Sequence, residues 1–180
     1  MRKIILAGWI RSGKDSVSHR ILTTHDYYEK VAFGDALKRL YHELHPWVPE
    51  NPKPREGYQK FGQDMRRLYG DGIWIRHAER TIDFYRRVKR PDGIVVTDLR
   101  QLNEYEWARK NGYTIIRVTA PLEIRKARAI AAGDSFDEKD LDHETERHIE
   151  GFDVDYEIVN DGNLDELYAK VDAVMNEIAR

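Results

Sequence analysis

Gly8-Trp9-Ile10-Arg11-Ser12-Gly13-Lys14-Asp15-Ser16 follows the apolar run Ile4-Ile5-Leu6-Ala7 and precedes a segment with helical patterning. Strand, glycine loop and helix in that order form a phosphate cradle. Gly8 and Gly13 let the backbone wrap closely around phosphate oxygens, successive N–H groups turn inward, and the dipole of the following helix adds to their field. Lys14 supplies a mobile positive charge. The usual Ser or Thr after that lysine is Asp15 here, and the hydroxyl comes one residue later, at Ser16. An ordinary glycine turn between strand and helix is the competing reading, and the complete G-x-x-x-x-G-K spacing at the first strand argues against it. Nucleotide binding through Gly8, Arg11, Ser12, Gly13, Lys14, Asp15 and Ser16 is the expectation.

The remaining chain agrees with that start. Its 180 residues with 41% hydrophobic content suit one compact domain with a sizeable core. A net charge of −2 offers no basic footprint for nucleic acid, and the expected partners are small anions. With no cysteine, disulfides, thiol catalysis and cysteine-ligated zinc are excluded, and a reducing compartment is compatible. No apolar run reaches the roughly 20 residues of a membrane-spanning helix. We expect a cytoplasmic protein that binds neither nucleic acid nor membrane.

β-prone segments alternate with helical ones, which predicts an α/β fold with parallel strands. The strands are expected over Lys3 to Ala7, Lys30 to Phe33, Gly93 to Thr97, Tyr113 to Thr119 and Tyr156 to Val159. The helices are expected near Lys14 to Thr24, Asp35 to Leu44, Arg55 to Leu68, Ile73 to Lys89, Leu102 to Lys110, Leu122 to Ala131 and Leu164 to Ile178. His45 to Pro54 holds four of the six prolines and reads as an extended surface connection. Gly133 to Asp140 is polar and acidic, and its composition and position suit a mobile lid.

Three further clusters carry chemistry. Ile94-Val95-Val96-Thr97-Asp98-Leu99-Arg100 is a strand ending in a carboxylate and a guanidinium. Ligands gather beyond the carboxyl ends of parallel strands, which would bring Asp98 and Ser16 toward a magnesium ion and Arg100 toward phosphates. The alternative is a helix-capping Asp98 with a solvated Arg100. Arg125 and Arg128, three residues apart, share a helix face and either close over a transferring phosphoryl group or form a solvated face. For an acceptor, Gly34-Asp35-Ala36-Leu37-Lys38 offers a helix start with a cation one turn in. Arg55, Gln59, Arg66 and Arg67 lie along one helix, where Gln59 could hydrogen-bond a base edge and one of the two adjacent arginines could touch ligand. Gly62 in that helix implies a close approach, by a ligand or by another helix.

The chain resembles the P-loop nucleoside monophosphate kinases, closest to the deoxynucleoside monophosphate kinases of bacteriophages and some bacteria. The resemblance spans nearly the whole chain and rests on Arg11 to Ser16, Gly34 to Lys38, Gln59 to Asp64, Thr97 to Arg100, His143-Glu144-Thr145-Glu146 and Ile158 to Leu167. Asp15 after the lysine is similar to the family's G-K-D-T loop, with Ser16 replacing threonine. The resemblance implies five parallel strands with helices on both faces, a substrate-binding lobe at about 34–90 and a lid at about 125–150. It further implies ATP as donor, Mg²⁺, phosphoryl transfer to a monophosphate, and no covalent enzyme intermediate. Residues Asn160 to Asn163 would lie near the donor adenine, although Asn160-Asp161-Gly162 also reads as a simple turn. His143 and Glu146 would sit beside the lid or on a helix surface. Animal-type phosphomevalonate kinases share the G-K-D loop, a helix arginine near an F-G pair and a D-x-R strand end, and are the alternative. A nucleotide-dependent regulatory module ranks below both. A homodimer is left open.

Overall fold

The computed structural model describes residues 1–25, 27–132 and 148–180. The expected lid segment Gly133 to Asp140, and His143 and Glu146, lie outside the described residues. The chain divides into two compact units, residues 1–30 with 91–180, and residues 31–90.

The first unit is built on a five-stranded, all-parallel sheet. Its strands are β1 (Arg2–Ala7), β2 (Tyr28–Val31), β3 (Gly93–Leu99), β4 (Thr114–Thr119) and β5 (Tyr156–Val159), in the order β2-β3-β1-β4-β5. Ile4 through Ala7 are fully buried, and Ile94, Val95 and Val96 are buried beside them. Such continuous apolar strands are what a sheet covered on both faces requires. Helices α1 (Lys14–Thr24) and α7 (Leu164–Ile178) cover one face, where Val17, Ile21, Leu167, Val171 and Met175 pack on Ile4, Leu6, Val95, Val118 and Ile158. Each of these side chains contributes on the order of 1.5–3 kcal/mol by leaving water, which outweighs any surface pair in the molecule.

The strand order reverses at β1, whose neighbours are β3 and β4. Crevices for ligands open at such a point, beyond the carboxyl ends of the strands. The β1–β3 register slips between Ile5 and Ala7, so that Ala7 pairs with Leu99. The irregularity falls where β1 runs into the glycine loop and where β3 carries Asp98.

Capping fixes the connections. Helix α5 (Leu102–Lys110) is started by the buried Glu104, whose Oε2 accepts the N–H groups of Arg100 (2.9 Å) and Gln101 (3.0 Å). The cap contacts of this helix therefore run to Glu104, while Asp98 stays within β3. Asn163 caps α7, its Oδ1 accepting from Glu166 N at 3.0 Å. Helix α6 (Leu122–Ala131) follows β4.

The second unit holds α2 (Phe33–Leu44), α3 (Arg55–Tyr69) and α4 (Ile73–Phe84). Trp74, 1% exposed, donates from Nε1 to the Gly62 carbonyl at 3.4 Å, and a Cβ on Gly62 would stand 2.8 Å from Leu37 Cδ1. The close approach that Gly62 permits is therefore that of helix α2. Gly57 serves the same contact, against the ring of Tyr41.

Several boundaries differ from expectation, β3 running to Leu99 instead of Thr97 and α2 starting at Phe33 instead of Asp35 among them, and two have a visible cause. The second strand is Tyr28–Val31 rather than Lys30 to Phe33, because the Asp35 carboxylate accepts the Ala32 N–H at 2.9 Å and turns the chain into α2 by Phe33. The helix expected to reach Lys89 is α-helical only to Phe84 and becomes a π-helix over Tyr85–Lys89. It ends with Arg90 N bonded to Tyr85 O at 2.8 Å and Arg90 in the left-handed region at φ 51°, ahead of Pro91, which disfavours helical backbone before it.

Candidate phosphate-binding site

Between Ala7 and Lys14 the backbone visits conformations that favour glycine. Gly8 has φ 151°, Arg11 φ 60° and Gly13 φ 104°. The glycines are also required for space. A Cβ on Gly8 would fall on the Val118 carbonyl of β4, and one on Gly13 would fall on the Asn160 amide. The loop is thus pressed between two neighbouring elements and has no room to relax.

Lys14 opens α1, and its Nζ donates to the carbonyls of Gly8 (2.6 Å) and Trp9 (2.7 Å). No side chain caps this helix; Gly13 holds the N-cap position in the left-handed conformation, and Asp15 stands in the first turn. The helix start therefore turns its backbone N–H groups and the positive end of its dipole toward the loop. Ser16 lies one residue further along, partly buried.

Both arginines of α6 reach this loop. Arg125, 7% exposed, places its guanidinium over the Trp9 ring, 5.1 Å from the centroid. Arg128 donates to Asn160 Oδ1 at 3.1 Å, with longer approaches to the carbonyls of Asn160 (3.4 Å) and Arg11 (3.5 Å). Asn160, 5% exposed at the end of β5, donates from Nδ2 to the Ser12 carbonyl at 2.8 Å. Lys170 fixes the next turn by donating to Val159 O (2.7 Å) and Asp161 Oδ1 (2.9 Å), and its hydrogen bond holds the Asp161 carboxyl below the usual carboxylate range.

The structure thus joins Arg11, Ser12, Gly13, Arg125 and Arg128 in one contact network. Asp98 and Arg100, both partly exposed, lie at the carboxyl end of the adjoining β3. A hydroxyl at Ser16 and a carboxylate at Asp98 are oxygen donors of the hard kind that magnesium takes. Among the described residues no group of three or more His, Asp or Glu side chains is placed to hold a metal ion. Trp9 and Asn160 join this network without being expected to brace the loop. The signal for Asn160 is its place directly after the last strand; Trp9 has none beyond its position in the loop.

In the second unit, Lys38 lines a surface pocket of about 390 Å³ with Arg39, His42, Glu43, Glu50 and Tyr58. His42 Nε2 lies 2.6 Å from the Tyr58 hydroxyl, and burial raises the Tyr58 pKa. Asp35 is engaged at the start of α2. Arg67 is exposed and pairs loosely with Asp64 at 3.4 Å, whereas Arg66 is partly buried; Arg55 is partly buried and Gln59 exposed. Among the aromatic residues of this unit, Trp74 is core, Tyr58 and Phe61 pack edge-on against Tyr41, and Tyr69 is exposed.

Parallel sheet, strand order and glycine loop together define a P-loop kinase fold. A family model described as an AAA domain matches residues 4–169, and the chain belongs to that family. It is 36% identical over 84 residues to a deoxynucleotide monophosphate kinase of Escherichia phage RB69, a match covering 47% of this chain and 29% of that enzyme's length. TT1252 from Thermus thermophilus is similar in structure, with a TM-score of 0.61 at 20% identity over 98% of both chains. The shikimate kinase of Acinetobacter baumannii in complex with shikimate superposes with a TM-score of 0.54 at 15% identity, covering 98% of this chain and 94% of that one. These structural likenesses establish the fold. Among the described residues no helix is long and apolar enough to cross a membrane.

Proposed function

We propose that the protein transfers the γ-phosphoryl group of ATP to a nucleoside or deoxynucleoside monophosphate. The observation that carries this reading is the convergence of Arg125 and Arg128 on a complete phosphate loop, and the partial match to a phage deoxynucleotide monophosphate kinase supports the acceptor class. A phosphate loop that only binds nucleotide has no need of two extra arginines held against it. Phosphoryl transfer does, because charge spreads over the equatorial oxygens of the moving group.

Lys14 and the loop N–H groups hold the donor phosphates. Ser16 and Asp98 are the residues that would hold Mg²⁺, which when bound neutralises charge on the donor phosphate oxygens. Lys38 and Arg66 anchor the acceptor, with Asp35, Arg55 and Gln59 as further candidates to contact it; Arg67, 80% exposed, is the less constrained of the adjacent pair. Arg100, Arg125 and Arg128 surround the transferring group. An acceptor phosphate oxygen is already nucleophilic, so positioned cations and exclusion of water supply the catalysis without a strong general base.

The test is to incubate the purified protein with ATP, Mg²⁺, each ribo- and deoxyribonucleoside monophosphate and phosphomevalonate, and to quantify the products. A nucleoside diphosphate supports the proposal and identifies the base. Turnover of phosphomevalonate alone, or ATP binding with no acceptor-dependent ADP release, refutes it.

A further inference from the structure

We infer that Asn160 is a positioning residue that aims the Gly13 N–H and the Arg128 guanidinium at the same anion, a role that rests on the reading of this loop as the ATP site. The amide has one donor end and one acceptor end, and the structure uses both. Nδ2 donates to Ser12 O at 2.8 Å, and Oδ1 accepts from Arg128 at 3.1 Å. The assignment of the two ends follows from their partners, since a carbonyl requires a donor and a guanidinium an acceptor.

The consequence lies in the peptide between Ser12 and Gly13. In a trans peptide the carbonyl and the following N–H point in opposite directions. Holding the Ser12 carbonyl against Asn160 therefore directs the Gly13 N–H away from it, as a phosphate cradle of inward N–H groups requires. The space for this is made by Gly13 itself, whose missing Cβ is replaced by the Asn160 amide. No other side chain of this size offers both ends: aspartate would set an acceptor against the Ser12 carbonyl, and leucine would satisfy neither partner.

The test is a double-mutant cycle on the affinity for the unhydrolysable ATP analogue AMP-PNP with Mg²⁺, using Asn160→Ala, Arg128→Ala and both together, with Asn160→Asp as a second probe. Asn160→Ala is expected to weaken binding about tenfold in the wild-type background and less than threefold once Arg128 is absent. Asn160→Asp, which keeps the shape and the acceptor for Arg128, is expected to lose between about two- and threefold through the Ser12 contact alone, the part of the loss that also survives removal of Arg128. A merely structural role would lower the melting temperature and leave the affinity of the folded protein unchanged. Affinities within twofold of wild type for both Asn160 variants, or the same loss in both backgrounds, overturn the inference. If these affinities behave as expected while the wild type phosphorylates no acceptor, the kinase reading fails and the inference stands. A wild type that does not bind AMP-PNP overturns both.

Discussion

Replacing Lys14 by methionine keeps the aliphatic stem and removes the ammonium with its hydrogen bonds to Gly8 O and Trp9 O, at 2.6 and 2.7 Å. Hydrogen bonds from charged groups contribute about 1.5–3 kcal/mol when buried, but Lys14 is only partly buried and its ammonium recovers hydration in the unfolded chain, so about 1.5 kcal/mol for the pair is a fair discount. For a chain of this size that corresponds to a fall in melting temperature of about 3–6 °C. A second effect is separate: ATP at 100 times its dissociation constant stabilises the folded protein by about 2.7 kcal/mol, and the variant should lose most of that increment. Differential scanning calorimetry with and without ATP and Mg²⁺ reads both effects. A Lys14→Met protein that melts with the wild type and gains the same increment from ATP would refute the assignment of Lys14 to the phosphates and the worth given to its loop contacts.

Other outcomes are expected elsewhere. Arg125→Ala should lower kcat about a hundredfold while changing ATP affinity by only a few fold, as for a group that acts mainly in the transition state; steady-state kinetics beside a binding titration would expose an ordinary ligand contact as equal losses in both. Gly57→Ala should cost about 1–2 kcal/mol in urea unfolding, because its Cβ would lie 2.7 Å from Tyr41 Cζ and the gain in helix propensity offsets only part of the overpacking. Gly62→Ala should come within about 0.5 kcal/mol of wild type, since the end of the Leu37 side chain can yield. Asp172 accepts from Arg20 Nε (2.9 Å) and an Arg20 terminal nitrogen (2.6 Å), and from His25 (3.2 Å), and these bonds hold its carboxyl below the ordinary value. A depressed carboxyl pKa contributes stability that is present above the unfolded value and lost as pH falls through the folded one. Asp172→Asn should therefore cost about 1 kcal/mol at pH 7, given the partial exposure of the pair, and the difference from wild type in urea midpoint should shrink below about pH 4.

Features set by near neighbours along the chain are legible in the residues themselves. The glycine spacing identifies the loop, and α1, α5, α6 and α7 begin and end where their patterns predict, because period and capping chemistry are local. The boundary between β2 and α2 escapes that reading because Ala32 and Phe33 suit a strand as well as a helix start, and the Asp35 side chain decides between them. The π-helical end of the segment after α4 has no pattern of its own. Gly62 leaves two explanations open, and only the position of Leu37 separates them. The loop's bracing is illegible for a different reason: Asn160 lies 148 residues from Ser12, and Arg128 lies 117 from Arg11, so the contacts exist only once the strands are side by side.

The placement of a guanidinium over the Trp9 ring has an optical consequence. The other three tryptophans sit in distinct surroundings: Trp47 is 75% exposed, Trp74 is buried, and Trp107 packs against Tyr113. An anion that draws Arg125 off the indole changes the field at Trp9. The phosphate loop thus carries its own fluorophore, and with Trp47, Trp74 and Trp107 replaced by phenylalanine its emission would follow the loop's occupancy without an added dye.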